Sequence, residues 1–184
     1  MQVMAKVLRF IKNAHRLNYD DIIEYIQYIP KYVIKKFIRD NPYKYFELGF
    51  IYQYYFKKYK RMHEYYNKSL EDANTLVHLG LYYENNYSYN KDIEYYKKAV
   101  ELGNADAMFY LGYYYDCINI NNNDLMKKYY LHAIELGNRK AMFHLGHYYK
   151  YTNNYAEMKY YYMLAIKLNC IYGFKDYYFE IEYA

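Results

Sequence analysis

The pair Leu-Gly recurs in one column along this chain, at Leu48-Gly49, Leu79-Gly80, Leu111-Gly112 and Leu145-Gly146, at intervals of 31, 32 and 34 residues. Three positions after each glycine stands a tyrosine: Tyr52, Tyr83, Tyr115 and Tyr149. A second block follows each time, a tyrosine pair with a small residue three places beyond it. These blocks are Tyr65-Tyr66 to Ser69, Tyr95-Tyr96 to Ala99, Tyr129-Tyr130 to Ala133 and Tyr161-Tyr162 to Ala165. Two separate blocks aligned four times define a repeat. A repeat of this length marks an array in which each unit buries its apolar face against its neighbours.

Each unit reads as two helices. Ala107, Leu111 and Tyr115 fall at i, i+4 and i+8, one apolar stripe of a 3.6-residue helix. After an Asn-rich break at Asn119 to Asn123, a second helix is predicted from about Asp124 to Leu136, with Met126, Tyr130, Ala133 and Ile134 on one face. Gly137-Asn138 supplies a C-terminal glycine signal, and Gly103-Asn104 punctuates the unit before it. Asn154 with Glu157 three residues on is similar to a capping box, and Asn41-Pro42 predicts a cap with a first-turn proline. Only 7 Gly and 2 Pro serve 184 residues, too few for a chain of many short strands and tight turns. The expected fold is all-α, a solenoid of about four stacked antiparallel helix pairs.

A glycine inside a helix costs about 1 kcal/mol relative to alanine, so four in one column require compensation. The expectation is close approach of the partner helix, with Ser69, Ala99, Ala133 and Ala165 opposite the glycines and rings filling the gaps on either side. With 35 Tyr and no Trp, the tyrosines are expected to form much of the core, each burying its ring while the hydroxyl finds a partner at the edge.

The lines Gly103-Asn104-Ala105-Asp106-Ala107-Met108-Phe109-Tyr110-Leu111-Gly112-Tyr113-Tyr114-Tyr115 and Gly137-Asn138-Arg139-Lys140-Ala141-Met142-Phe143-His144-Leu145-Gly146-His147-Tyr148-Tyr149 resemble Sel1-like repeats of the tetratricopeptide superfamily. Asp92 to Gly103 is similar to the second-helix block of that family, apart from its first alanine. The resemblance spans roughly residues 41 to 184. Two features depart from it: Asn-rich turns replace the usual Gly-x-Gly loop, and the early alanine of the second helix is Met62, Asp92, Met126 or Met158. Tyr- and Asn-heavy repeats of this kind are similar to those encoded by AT-rich giant DNA viruses; the expected location is cytoplasmic, the host's cytoplasm if the chain is viral. Residues 1–40 lack the Leu-Gly column and read as an N-terminal helical cap or degenerate repeat, with helices expected at about Val3 to Leu17, Asp20 to Ile29 and Lys31 to Arg39. Residues 41–184 read as the array, closed by a capping helix from about 171.

The resemblance implies a concave face lined by the first helix of each pair, and a peptide or protein as the occupant. The columns it points to supply the candidates Phe46, Phe50, Leu81, Glu84, Phe109, Tyr113, Asp116, Phe143, His147 and Lys150. The competing explanation of the Phe column is ordinary packing between neighbouring helices.

Other chemistries find little support. His144 and His147 at i and i+3, with His78 in the column of His144, permit a metal site to be drawn, but no carboxylate stands at helical spacing and HExxH is absent, so no metal is expected. No phosphate-binding glycine loop or nucleophile motif occurs, and neither enzymatic activity nor a cofactor is expected. Cys117 and Cys170 stand 53 residues apart, which suits a reducing compartment rather than a disulfide scaffold. Lys6, Arg9 and Lys12 interrupt the only apolar stretch near Met1, so no signal peptide is read there. The longest clean apolar run, Ala107 to Tyr115, is nine residues against the roughly 20 that a bilayer requires, so no membrane partner is expected.

Charge is uneven. Through residue 70 there are 14 Lys+Arg against 6 Asp+Glu, and beyond it 11 against 14. Lys57, Lys58, Lys60 and Arg61, interleaved with Tyr54, Tyr55, Phe56 and Tyr59, offer a second class of function: single-stranded nucleic acid held by phosphate contacts and base stacking. A solvated turn between helices explains the same residues more simply.

Overall fold

A computed structural model describes residues 26–86, 89–117 and 122–168. The described residues form helices and no strand: α1 Lys31–Asp40, α2 Tyr45–Tyr54, α3 Tyr59–Tyr66, α4 Ala73–Asn85, α5 Tyr89–Glu101, α6 Ala105–Cys117, α7 Asn123–Glu135, α8 Arg139–Tyr151 and α9 Tyr155–Lys167. The chain divides within α5 into two compact units, Met1–Tyr95 and Tyr96–Ala184. In the first unit α2 packs against α3 and α4; in the second α6 pairs with α7, α8 pairs with α9, and α8 also lies against both α6 and α7. Short turns make the pairs antiparallel, so the helical-repeat architecture expected from the sequence holds within each unit.

In the first unit α1 contributes Val33, Ile34 and Phe37 to one core with Leu48, Phe50, Ile51 and Tyr54 of α2. Those α1 positions lie at i, i+1 and i+4, the inward stripe of an amphipathic helix. The Tyr55 hydroxyl donates to the Ile29 carbonyl at 3.1 Å and ties the stretch before α1 to the end of α2. The other expected N-terminal helices, Val3 to Leu17 and most of Asp20 to Ile29, and the capping helix from about 171, lie outside the described residues.

The glycine column has a different partner from the one expected. A Cβ built at Gly112 meets Cδ1 of Tyr130 at 2.5 Å, and one at Gly146 meets Cδ1 of Tyr162 at 2.6 Å; at Gly49 the obstructing ring is that of Tyr66. Each glycine is thus a notch for the second tyrosine of its own pair, not a site where two backbones meet over Ala or Ser. The rings are the larger prize: Tyr66 and Tyr130 are 0% exposed and Tyr162 4%, and a buried aromatic ring contributes more than the propensity that glycine forfeits. The small residues instead lie toward the next first helix. Ser69 Oγ meets Thr75 Oγ1 at 2.9 Å, and Ala133 shares a core with Ala141 and Leu145.

The first tyrosine of each pair faces outward and stacks on the tyrosine three places after the glycine. Tyr52 on Tyr65, Tyr83 on Tyr95, Tyr115 on Tyr129 and Tyr149 on Tyr161 have ring centroids 5.3, 5.5, 5.8 and 5.7 Å apart and interplanar angles of 15° or less. Lysine ammonium groups sit over several of these rings, Lys91 over Tyr83 at 5.0 Å and Lys127 over Tyr149 at 5.9 Å. Both motifs of the repeat therefore encode one joint: an inner ring in a glycine notch and an outer ring pair clasping it.

The turns follow the glycine signals. Gly103 and Gly137 have φ of +76° and +84°, the left-handed C-terminal conformation. Asn104 and Asn138 then donate their backbone N–H to the carbonyls of Ala99 and Ala133, closing α5 and α7. These asparagines also cap the following helices, which the sequence reading had not assigned: Oδ1 of Asn104 accepts from Ala107 N at 2.9 Å, and Oδ1 of Asn138 from Ala141 N at 3.0 Å. Asn154 accepts from Glu157 N at 3.4 Å, as its spacing predicted. Asn41 does not cap α2 as expected. It closes α1, its Nδ2 donating to the Phe37 carbonyl at 2.9 Å, while α2 begins at Tyr45 behind Lys44 with no side-chain cap.

Asn138 does double duty, because its Nδ2 donates to Asp106 Oδ1 at 2.7 Å and links consecutive first helices. Asn138→Ala is expected to destabilise the second unit by about 1–2 kcal/mol. Asn138→Asp keeps the cap but sets a second carboxylate against Asp106, and is expected to destabilise as well. Urea denaturation followed by circular dichroism checks both; an unchanged Asn138→Asp midpoint would show that the link to Asp106 is idle.

Candidate functional site

The candidate face is built on first helices, and its residues divide by depth. Phe50 is 0% exposed, packed against Tyr54 at 4.7 Å and against His78 at 5.3 Å. Its role is the ordinary packing that the sequence left open, so it is removed from the binding candidates. Phe109, 6% exposed, is likewise buried, against Tyr130 and His144, and leaves the binding candidates with Phe50. The Phe column as a whole stacks on the notch tyrosines: Phe46 on Tyr66 at 6.4 Å, Phe109 on Tyr130 at 6.0 Å, and Phe143 on Tyr162 at 5.6 Å. Leu81, Glu84, Tyr113, Asp116, Phe143, His147 and Lys150 remain half-buried, so each shows part of its side chain to solvent.

The histidine column that permitted a metal site is aromatic packing. His78 lies against Phe46, Phe50 and Tyr54 of the preceding first helix, and its Nδ1 is 2.8 Å from the Tyr54 hydroxyl. His144 repeats the arrangement in the second unit, against Phe109 at 5.1 Å, Tyr113 at 5.5 Å and Tyr130 at 5.9 Å. Burial among these rings, with His147 and Lys140 nearby, pushes the His144 pKa down to about 4. Among the described residues, no three of His, Cys, Asp and Glu gather where they could hold a metal ion. Nor is any described helix long and apolar enough to cross a membrane.

Asp116 sits in the last turn of α6 and accepts a hydrogen bond from the Tyr130 hydroxyl at 3.1 Å. Burial raises its pKa, which that bond and His147 offset in part. In the first repeat the same column holds Gln53, which is 6% exposed; its Oε1 accepts from the Tyr66 hydroxyl at 2.7 Å and its Nε2 donates to the His78 carbonyl at 3.4 Å.

Lys57, Lys58, Lys60 and Arg61 lie exposed at the turn between α2 and α3 and on the first residues of α3. Arg61 is paired with Glu64 at 2.8 Å. The rings interleaved with them are mostly occupied: Tyr54 is buried on His78, and Phe56 packs on Tyr52 and Tyr55. Tyr59, 45% exposed, is the most open of the four, though its ring lies 5.1 Å from that of Tyr82.

No protein-family model matches the chain, and no curated protein matches it.

Proposed function

We propose that the chain is a non-enzymatic interaction scaffold or adaptor of the Sel1-like, tetratricopeptide type, holding a peptide or protein partner along the first-helix face. The observation that carries this reading is the two-depth construction of that face. The inner tyrosines and the Phe column complete the core, yet the next column outward keeps Leu81, Tyr113 and His147 half-buried in successive repeats. Large apolar and aromatic side chains held by packed helices and left partly open suit a partner's side chains. A cytoplasmic setting, the host's if the chain is virus-encoded, fits this role.

The test uses the full chain carrying a photo-crosslinking phenylalanine analogue at position 113, expressed in its native cell. One discrete partner is expected to crosslink there, to be absent with the analogue at exposed Tyr160, and to be lost when His147→Ala is added. Equal labelling from both positions would count against the reading.

Single-stranded nucleic acid is the second reading, favoured by the exposed Lys57, Lys58 and Lys60. It ranks lower because the neighbouring rings are engaged within the fold. Binding to single-stranded RNA that weakens steeply with salt, and is lost when the three lysines are replaced, would reverse the order.

A further inference from the structure

We propose that the Asp116 niche of the second unit is a subsite for a cationic side chain, a lysine or arginine of the bound segment; this rests on the interaction-face reading above. The argument is a comparison within the molecule. In the first repeat the equivalent niche holds an amide, and Gln53 spends both its acceptor and its donor inside the fold. That residue completes the joint at no cost in charge. In the second unit the niche holds Asp116, which accepts from Tyr130 but has no proton to give. No lysine or arginine among the described residues lies within 4 Å of it.

For folding alone, the aspartate is the poorer choice on two further counts. It stands in the last turn of α6, where the negative end of the helix disfavours an anion. It is also half-buried, where a carboxylate loses hydration. A charge kept where the fold disfavours it is characteristic of a binding group.

The surroundings suit an ammonium or guanidinium. Tyr113 lies one turn back on the same helix and stacks with Phe109 at 6.3 Å, giving the aliphatic stem of a lysine a ring surface to lie on. Rings of this face already accept a cation: Lys140 Nζ of the chain itself sits 5.8 Å from the Phe109 centroid. A carboxylate beside an aromatic ring is satisfied by a charge-assisted hydrogen bond from such a group.

A phage-displayed library of random peptides selected on the full chain tests this. Selected peptides are expected to share a lysine or arginine next to apolar residues. Asp116→Asn is expected to weaken the tightest of them about tenfold or more, while its Lys→Met counterpart binds both proteins alike. Asp116→Asn is also expected to raise the melting temperature, because it puts a neutral amide, like that of Gln53, in the niche. Apolar peptides selected without a cation, or unchanged affinity in Asp116→Asn, would overturn the subsite and leave the interaction face standing. A lowered melting temperature would make Asp116 a structural residue and overturn it too. Failure to select any peptide would remove both.

Discussion

Alanine at position 130 is expected to lower the stability of the second unit by about 3–5 kcal/mol, the range for deleting a buried aromatic ring. Tyr130 is 0% exposed, fills the notch left by Gly112, stacks on Phe109 and tilts against His144. No single neighbour can collapse into that space, because the residue opposite has no side chain. Tyr130→Phe separates the ring from its hydroxyl: it keeps the packing, strips Asp116 of its donor, and is expected to cost about 1–2 kcal/mol. Urea denaturation followed by helical circular dichroism measures both. A loss below about 1 kcal/mol for Tyr130→Ala would mean that the ring is peripheral.

Acid is expected to loosen the second unit well above the pH at which its carboxylates are titrated. His144 has its pKa lowered from 6.5 to about 4 in the folded state, so between those values the unfolded chain holds a proton that the folded chain refuses. Stability therefore falls as pH drops through 6.5, by up to about 3 kcal/mol on reaching pH 4, and His144 adds no further slope below that. Lys140 and His147 act on the ring and reinforce the effect, while Phe109, Tyr113, Tyr130 and Phe143 pack around it and leave it half-buried. Asp116, whose folded-state pKa is raised, acts in the opposite sense in the acidic part of the window and offsets some of the loss. His144→Tyr, which places in this column the residue found at Tyr110, is expected to flatten the pH dependence between 6.5 and 4. An equal slope in both proteins would place the acid sensitivity elsewhere.

The helix pairs were legible because glycine and tyrosine recur in fixed columns and because Gly-Asn pairs terminate helices by a local rule. The identity of the glycine's partner was not legible. Both tyrosines of each pair lie on the second helix, and adjacent residues point about 100° apart, so spacing alone does not say whether a ring or an alanine meets the notch. Asn41 was misread for a related reason: a cap residue before Pro42 is equally able to close the helix behind it, and the Phe37 carbonyl was nearer. At the candidate face, the sequence set Phe50 and Tyr113 in one column as equals. The structure separates them because His78 and Tyr54 cover Phe50, whereas Tyr113 is left half-open beside His144. Gln53 and Asp116 likewise share a column, and only the bonds they make distinguish an amide that both donates and accepts within the fold from a carboxylate that only accepts.

The glycine notch is tested most directly by a double-mutant cycle between Gly112 and Tyr130, read by urea denaturation. In the natural background, Gly112→Ala forces a methyl group into the Tyr130 ring and is expected to destabilise by about 1–2 kcal/mol, despite the better helix propensity of alanine. In a Tyr130→Ala background the obstruction is gone, and the same substitution is expected to stabilise by about 1 kcal/mol. Reversal of sign is the predicted result. A Gly112→Ala effect of the same sign and size in both backgrounds would contradict the account, because the glycine would then serve something other than the ring.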